Sequence, residues 1–165
     1  MDKTRSGFVA GTLVRTKDAL KPIDDICIGE WVLSYPDDQI PPKRFRTDAE
    51  YIYRRVTQTF VHEDIAVCNV EIMQFASNSL EVITVTPNHP FFVKREGWVP
   101  ASQLNFTCPL EAHNFGNLAV GCAELIAERA RVYNLEVEGF NTYYVGKLGA
   151  WVHDAYGKKH SNGLA

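Results

Sequence analysis

Residues 82–93, Val-Ile-Thr-Val-Thr-Pro-Asn-His-Pro-Phe-Phe-Val, force an extended chain to reverse sharply and then continue extended. Val82, Thr84 and Thr86 share one face of the first run, and Phe91 and Val93 share one face of the second, as the period-two pattern of strands requires. Pro87 and Pro90 bracket Asn88 and His89; neither proline has an N–H to donate, so the two residues between them are denied a regular ladder. His89 is thereby held at a strand end, close behind the hydroxyl of Thr86. An imidazole fixed beside a hydroxyl can polarise a carbonyl or hand a proton to a departing amide nitrogen. A histidine that only fills a proline-rich turn does neither, and the ends of the chain decide between the two readings.

The rest of the chain is punctuated in the same way. Residues 1–6 form a polar lead-in, Gly11 permits a bend within Phe8–Val14, and Val14–Thr16 extend into a strand. Residues 17–22 read as a hairpin-type connection into Ile23–Ile26, and Trp31–Tyr35 as a short apolar strand. From Pro36 to Asp48, three prolines and the solvated basic group Lys43, Arg44 and Arg46 indicate a loop or flap outside the core. Tyr51–Val61 and Ile65–Met73 alternate as half-buried strands, with Ala66, Cys68, Val70 and Ile72 on one side. Gly97–Leu104 brings Trp98 close to the His89 turn, residues 105–117 are loop-like, and 119–126 read as a strand continued by 131–138. Gly139-Phe140-Asn141 turns the chain into two last strands, Thr142–Val145 and Ala150–Asp154. No long amphipathic helix appears, so the expected class is all-β, with irregular, curved sheets.

Composition sets limits on partners. With 45% hydrophobic and 22% charged residues over 165 positions, the chain can build one core in a single domain. A formal net charge of −3 offers no electrostatic footprint for nucleic acid or an anionic membrane, and neither partner is expected. No run reaches ~18 apolar residues, and Met-Asp-Lys-Thr-Arg-Ser lacks the apolar core of a signal peptide. Cys27, Cys68, Cys108 and Cys122 have none of the paired spacings of a zinc site, so no metal or other cofactor is expected. Most of these cysteines read as small buried apolar residues, although four allow three full disulfide pairings. Monomer is the default state.

Four blocks, Gly-Phe-Val-Ala-Gly-Thr-Leu-Val at 7–14, Thr-Pro-Asn-His-Pro-Phe at 86–91, Val-Tyr-Asn-Leu-Glu-Val-Glu at 132–138 and Trp-Val-His-Asp at 151–154, resemble in order those of Hint domains. That superfamily joins hedgehog autoprocessing domains to inteins, and the chain is most similar to the bacterial intein-like and pretoxin-Hint modules of secreted polymorphic toxins. The resemblance spans about 7–154, leaving 1–6 as an upstream flank and 155–165 as a downstream flank, whose Gly, Lys and Ser content from Tyr156 to Ala165 suggests mobility. It implies a β horseshoe with pseudo-twofold symmetry that brings both domain ends beside the His89 turn. It also implies a place within a larger bacterial secreted or cell-surface protein, with the chain's own flanking segments as substrates in cis.

In the family, a Cys or Ser before the Phe-Val segment attacks the preceding carbonyl and turns an amide into a thioester or ester. Carried over by position, Thr86 orients or polarises that carbonyl, His89 protonates the departing nitrogen, and His153 assists an Asn that cyclises to break the downstream bond. This chain departs from the pattern. Gly7 stands at the nucleophile position, Asp154 at the cyclising position, Asn141 where relatives often carry a histidine, and Ala155 where splicing needs Cys, Ser or Thr. Ser6 adjoins Gly7, but a one-residue shift along an extended chain turns its hydroxyl to the opposite face. Asp154 reads as an acid exposed near the surface, and cleavage after it is expected to be negligible. The sequence therefore predicts a self-processing domain that is inactive or strongly impaired; a non-catalytic linker between delivery and effector regions is the second reading.

Overall fold

The computed structural model describes residues 5–42, 52–113 and 117–155; the basic group Lys43, Arg44 and Arg46 and the tail from 156 lie outside them. The strands are β1 (Phe8–Val9), β2 (Leu13–Arg15), β3 (Leu20–Pro22), β4 (Trp31–Leu33), β5 (Tyr53–Gln74), β6 (Ser79–Val85), β7 (Pro90–Val93), β8 (Gly97–Pro100), β9 (Leu110–Glu111), β10 (Asn117–Val137), β11 (Thr142–Val145) and β12 (Ala150–His153). Short 3-10 turns at Ile23–Asp25 and Ala101–Gln103 complete the set of named elements. The all-β expectation holds, and so does the choice of strand for 119–126.

Three local expectations change. Leu20–Pro22 is a strand paired with β2, not a connection, because Thr16 closes the turn by accepting from the Ala19 N–H and donating to its carbonyl. Leu110–Glu111 adds a short strand to the supposed loop. The separate runs expected at 51–61 and 65–73 form one strand of 22 residues, paired along most of its length with the 21-residue β10. Asp64, in the left-handed region at φ 54°, and several register shifts bend this ribbon without ending it, as β-bulges do.

The sheet path runs β3-β2-β11-β12-β7-β9-β10-β1-β6-β5-β4, with β8 on β7 and a further β10–β5 pairing. Inward residues of this horseshoe, including Phe8, Val14, Val70, Val85, Phe91, Leu118, Leu135 and Val152, form the main core. A second, aromatic-rich cluster gathers Leu33, Ile52, Phe92, Tyr144 and Trp151. One feature of the topology places the site: β1 pairs with the end of β6 through Phe8 and Val85, and β12 pairs with β7 through Val152 and Phe91. The 86–89 turn connects β6 to β7. The two ends of the domain therefore lie on strands adjacent to the two arms of that one turn.

Candidate active site

The double-proline turn closes with the His89 N–H donating to the Thr86 carbonyl at 3.2 Å. Thr86, almost fully buried, then grips Gly7 twice: the Gly7 N–H donates to Thr86 Oγ1 at 3.1 Å, and the Thr86 N–H donates to the Gly7 carbonyl at 2.9 Å. His89 is fully buried, its ring centroid 4.5 Å from that of Phe8 and 6.5 Å from those of Phe91 and Tyr143. Neither ring nitrogen makes a hydrogen bond of ordinary length and angle among the described residues, although the His153 backbone lies close enough to favour the charged ring. The turn thus lies against Gly7 and Phe8, with Thr86 and not His89 holding the Gly7 backbone. Burial pushes the His89 pKa down to about 3; the charge of His153 acts in the same direction and the His153 backbone against it. At neutral pH the ring is uncharged, and a proton placed on it would be released readily.

Gly7 is more than a missing side chain. A Cβ there would fall 2.4 Å from the Tyr133 carbonyl oxygen and 2.8 Å from its carbon, both backbone atoms. Ser6 corrects a second expectation, since its side chain is fully buried and its Oγ lies 3.3 Å from Asn134 Nδ2, inside the site. Ser6 precedes β1, so strand alternation does not govern it.

Asn134 was not singled out by its motif, yet it is the hub of the site. Fully buried, it donates from Nδ2 to the Asp154 carbonyl at 2.9 Å, while its Oδ1 accepts from Tyr143 Oη at 2.5 Å and from the Leu135 N–H at 2.8 Å. The signal was available: an Asn within a run of strand-forming residues must find partners for both ends of its amide if it is buried.

Asp154 is fully buried, against the expected surface position. Its N–H donates to the Asn141 carbonyl at 2.8 Å, and its Oδ2 accepts from the Val137 N–H at 2.9 Å. The Ala155 N–H, on the far side of the peptide bond, donates to His153 Nδ1 at 2.8 Å, and Ala155 sits in the left-handed region at φ 67°. His153 Nδ1 is also 3.7 Å from Asp154 Oδ1. The structure thus brings His153, Asp154 and Asn141 together at the downstream junction and Thr86 and Gly7 at the upstream one, with His89 between them. Exposed Cys27 and Cys122 and buried Cys68 and Cys108 are all free thiols, so only two match the buried reading.

The arrangement is that of an intein-like fold. The chain is similar to the bacterial intein-like domain from Clostridium thermocellum, with a TM-score of 0.71 and 30% identity over 89% of this chain and 97% of that one. It is also similar in fold to the gp41-1 intein, with a TM-score of 0.68 and 17% identity over 90% of this chain and 98% of that one. For a DnaB intein from Synechocystis the TM-score is 0.67, with 13% identity over 90% and 98% of the two chains. No curated protein matches the sequence. The model of the pretoxin HINT domain matches residues 13–155, and the chain belongs to that family.

Proposed function

We propose that this is a self-processing Hint domain acting in cis on its flanking polypeptide, with its upstream step disabled and its downstream junction still assembled around the wrong carboxyl group. The observation that carries this reading is the bond between Asp154 and Ala155: its oxygen accepts from Asn134 Nδ2 at 2.9 Å and its nitrogen donates to His153 Nδ1 at 2.8 Å. Both ends of one amide are met by side chains suited to stabilise a developing oxyanion and to move a proton at the leaving nitrogen. Gly7 supplies no nucleophile for the upstream bond, and Asp154 has no amide nitrogen to close an imide. Little or no turnover follows for the chain as it stands.

Incubation across pH followed by intact-mass spectrometry tests this. The unmodified chain is expected to stay whole, and Asp154→Asn to release a fragment ending at 154. Absence of that fragment from a folded Asp154→Asn protein would favour the second reading, a linker module kept for its geometry. That reading has its own support in the backbone packing at Gly7, which leaves no room for a nucleophilic side chain.

A further inference from the structure

The loop after β4 delivers a carboxylate to the downstream junction. Asp37 Oδ2 lies 2.8 Å from His153 Nε2 and accepts from Asn141 Nδ2 at 3.3 Å. We propose that Asp37 is a positioning residue for His153, fixing the imidazole in the tautomer that leaves Nδ1 bare against the Asp154–Ala155 bond; the proposal rests on the reading of that junction given above.

The tautomer follows from the partners. Ala155 presents an N–H to Nδ1, so Nδ1 accepts, and the ring proton of the neutral imidazole is on Nε2, where an ionised carboxylate can only accept it. Nδ1 then faces two atoms at once: the Ala155 nitrogen at 2.8 Å and, at 3.7 Å, Asp154 Oδ1, which marks where a side-chain amide at this position would place its terminal atoms. When the residue at 154 carries an amide, its nitrogen bonds to its own main-chain carbonyl carbon and the bond to Ala155 breaks. One proton of that amide ends on the Ala155 nitrogen, yielding an imide and a free amine. A bare Nδ1 can take the proton from one and give it to the other. With the ring proton on Nδ1 instead, it would oppose the Ala155 N–H and block that transfer.

The Asp37 loop is built into the fold. Its N–H donates to the Phe140 carbonyl at 3.2 Å, and its carbonyl accepts from Trp98 Nε1 at 3.1 Å. Two residues earlier, Tyr35 exchanges bonds with the buried Thr142 hydroxyl, which donates to the Tyr35 carbonyl at 2.6 Å and accepts from its N–H at 3.1 Å. Ser34 Oγ donates to the Thr142 carbonyl at 2.7 Å. Trp98 completes the setting with its ring 5.1 Å from the edge-on His153 ring. These bonds fix the backbone that carries the Asp37 carboxylate, so the acid is held beside His153 as an orienting group must be.

Nitrogen-15 NMR of the imidazoles in the unmodified protein reads the tautomer without any cleavage. The expected spectrum places the proton on Nε2 of His153, and Asp37→Ala, which leaves only the Ala155 N–H to favour that form, is expected to raise the share of the Nδ1–H tautomer while the backbone amides of β11 and β12 stay in place. In the Asp154→Asn background, Asp37→Ala is expected to slow release of the downstream fragment roughly 10–100-fold, with His153→Ala as the control for complete loss of the ring. An unchanged tautomer in folded Asp37→Ala, or an unchanged cleavage rate, overturns the role assigned to Asp37. If Asp154→Asn does not cleave at all, the reading of the junction fails and the tautomer measurement alone decides Asp37.

Discussion

Asn134 Nδ2 stands 2.9 Å from the carbonyl oxygen of Asp154, so the last peptide bond of the domain already has a donor aimed at its oxygen. A donor held there by its own buried partners costs no reorganisation when negative charge develops. In the Asp154→Asn background, Asn134→Asp is expected to slow cleavage by ~10²–10³, the range for losing one such donor. Aspartate keeps an acceptor for Tyr143 and Leu135 but offers the carbonyl nothing. Cleavage at an undiminished rate in Asn134→Asp would exclude this role.

Asn141 supports Asp154 through its backbone and Asp37 through its side chain, from a left-handed conformation at φ 63°. Glycine accepts that conformation and alanine does not, which separates the two contributions. Urea unfolding should show Asn141→Ala destabilised by about 1–2 kcal/mol, and Asn141→Gly by clearly less. Both variants should loosen Asp37 to the same degree, visible in the His153 ring nitrogen shifts. Equal stability losses would mean that the backbone geometry at 141 is not the limiting feature.

Restoring a nucleophile at residue 7 meets a steric obstacle. Gly7→Ala and Gly7→Cys both place a Cβ against the Tyr133 backbone, which must move if the side chain is to fit. Overpacking of this kind costs about 1–3 kcal/mol. A lowered urea midpoint is expected for both, and thiol-induced scission before residue 7 should remain weak in Gly7→Cys. A Gly7→Ala midpoint equal to that of the parent would show that β1 and β10 part freely.

The depressed pKa of His89 couples stability to acid. The unfolded chain binds a proton at this residue below about pH 6.5, whereas the folded chain resists it down to about 3. Stability contributed by the neutral buried ring is therefore complete above about 6.5 and declines as pH falls toward 3, with a slope approaching ~1.4 kcal/mol per pH unit. His113, lowered to about 4 mainly by burial and further by Arg15, adds a loss of the same sign. Urea midpoints measured from pH 7 to 4 should fall more steeply in the parent than in His89→Phe. Parallel curves would show that His89 is protonated in the folded state across this range.

What the sequence disclosed and what it withheld divide along range of interaction. The 86–89 turn was legible because prolines on both sides restrict it locally, and the alternation of 65–73 revealed a strand without reference to its partner. Asp37 was hidden because its meaning depends on His153, and a polar residue after Pro36 looks like any loop acid until that partner is beside it. Asp154 misled for a related reason: an acid at the edge of a domain suggests solvent, but the Val137 N–H and the enclosing strands hold it inside. The length of β5 was also concealed, since Glu63-Asp64 has the composition of a break and tertiary pairing with β10 carries the strand across it.

Ser6, the last residue of the upstream flank, and Asp154, which closes the domain, are tied to a single amide nitrogen, that of Asn134. For a polypeptide interrupted by this domain, the insertion is a loop whose mouth is already shut. The entropic penalty of loop closure grows only slowly with length and is here met by the domain's own folding. A host protein could carry the whole horseshoe between two neighbouring residues with little spreading of its own ends. The spacing of the two flanking segments is set by the domain, through one buried amide, and not by whatever they are joined to.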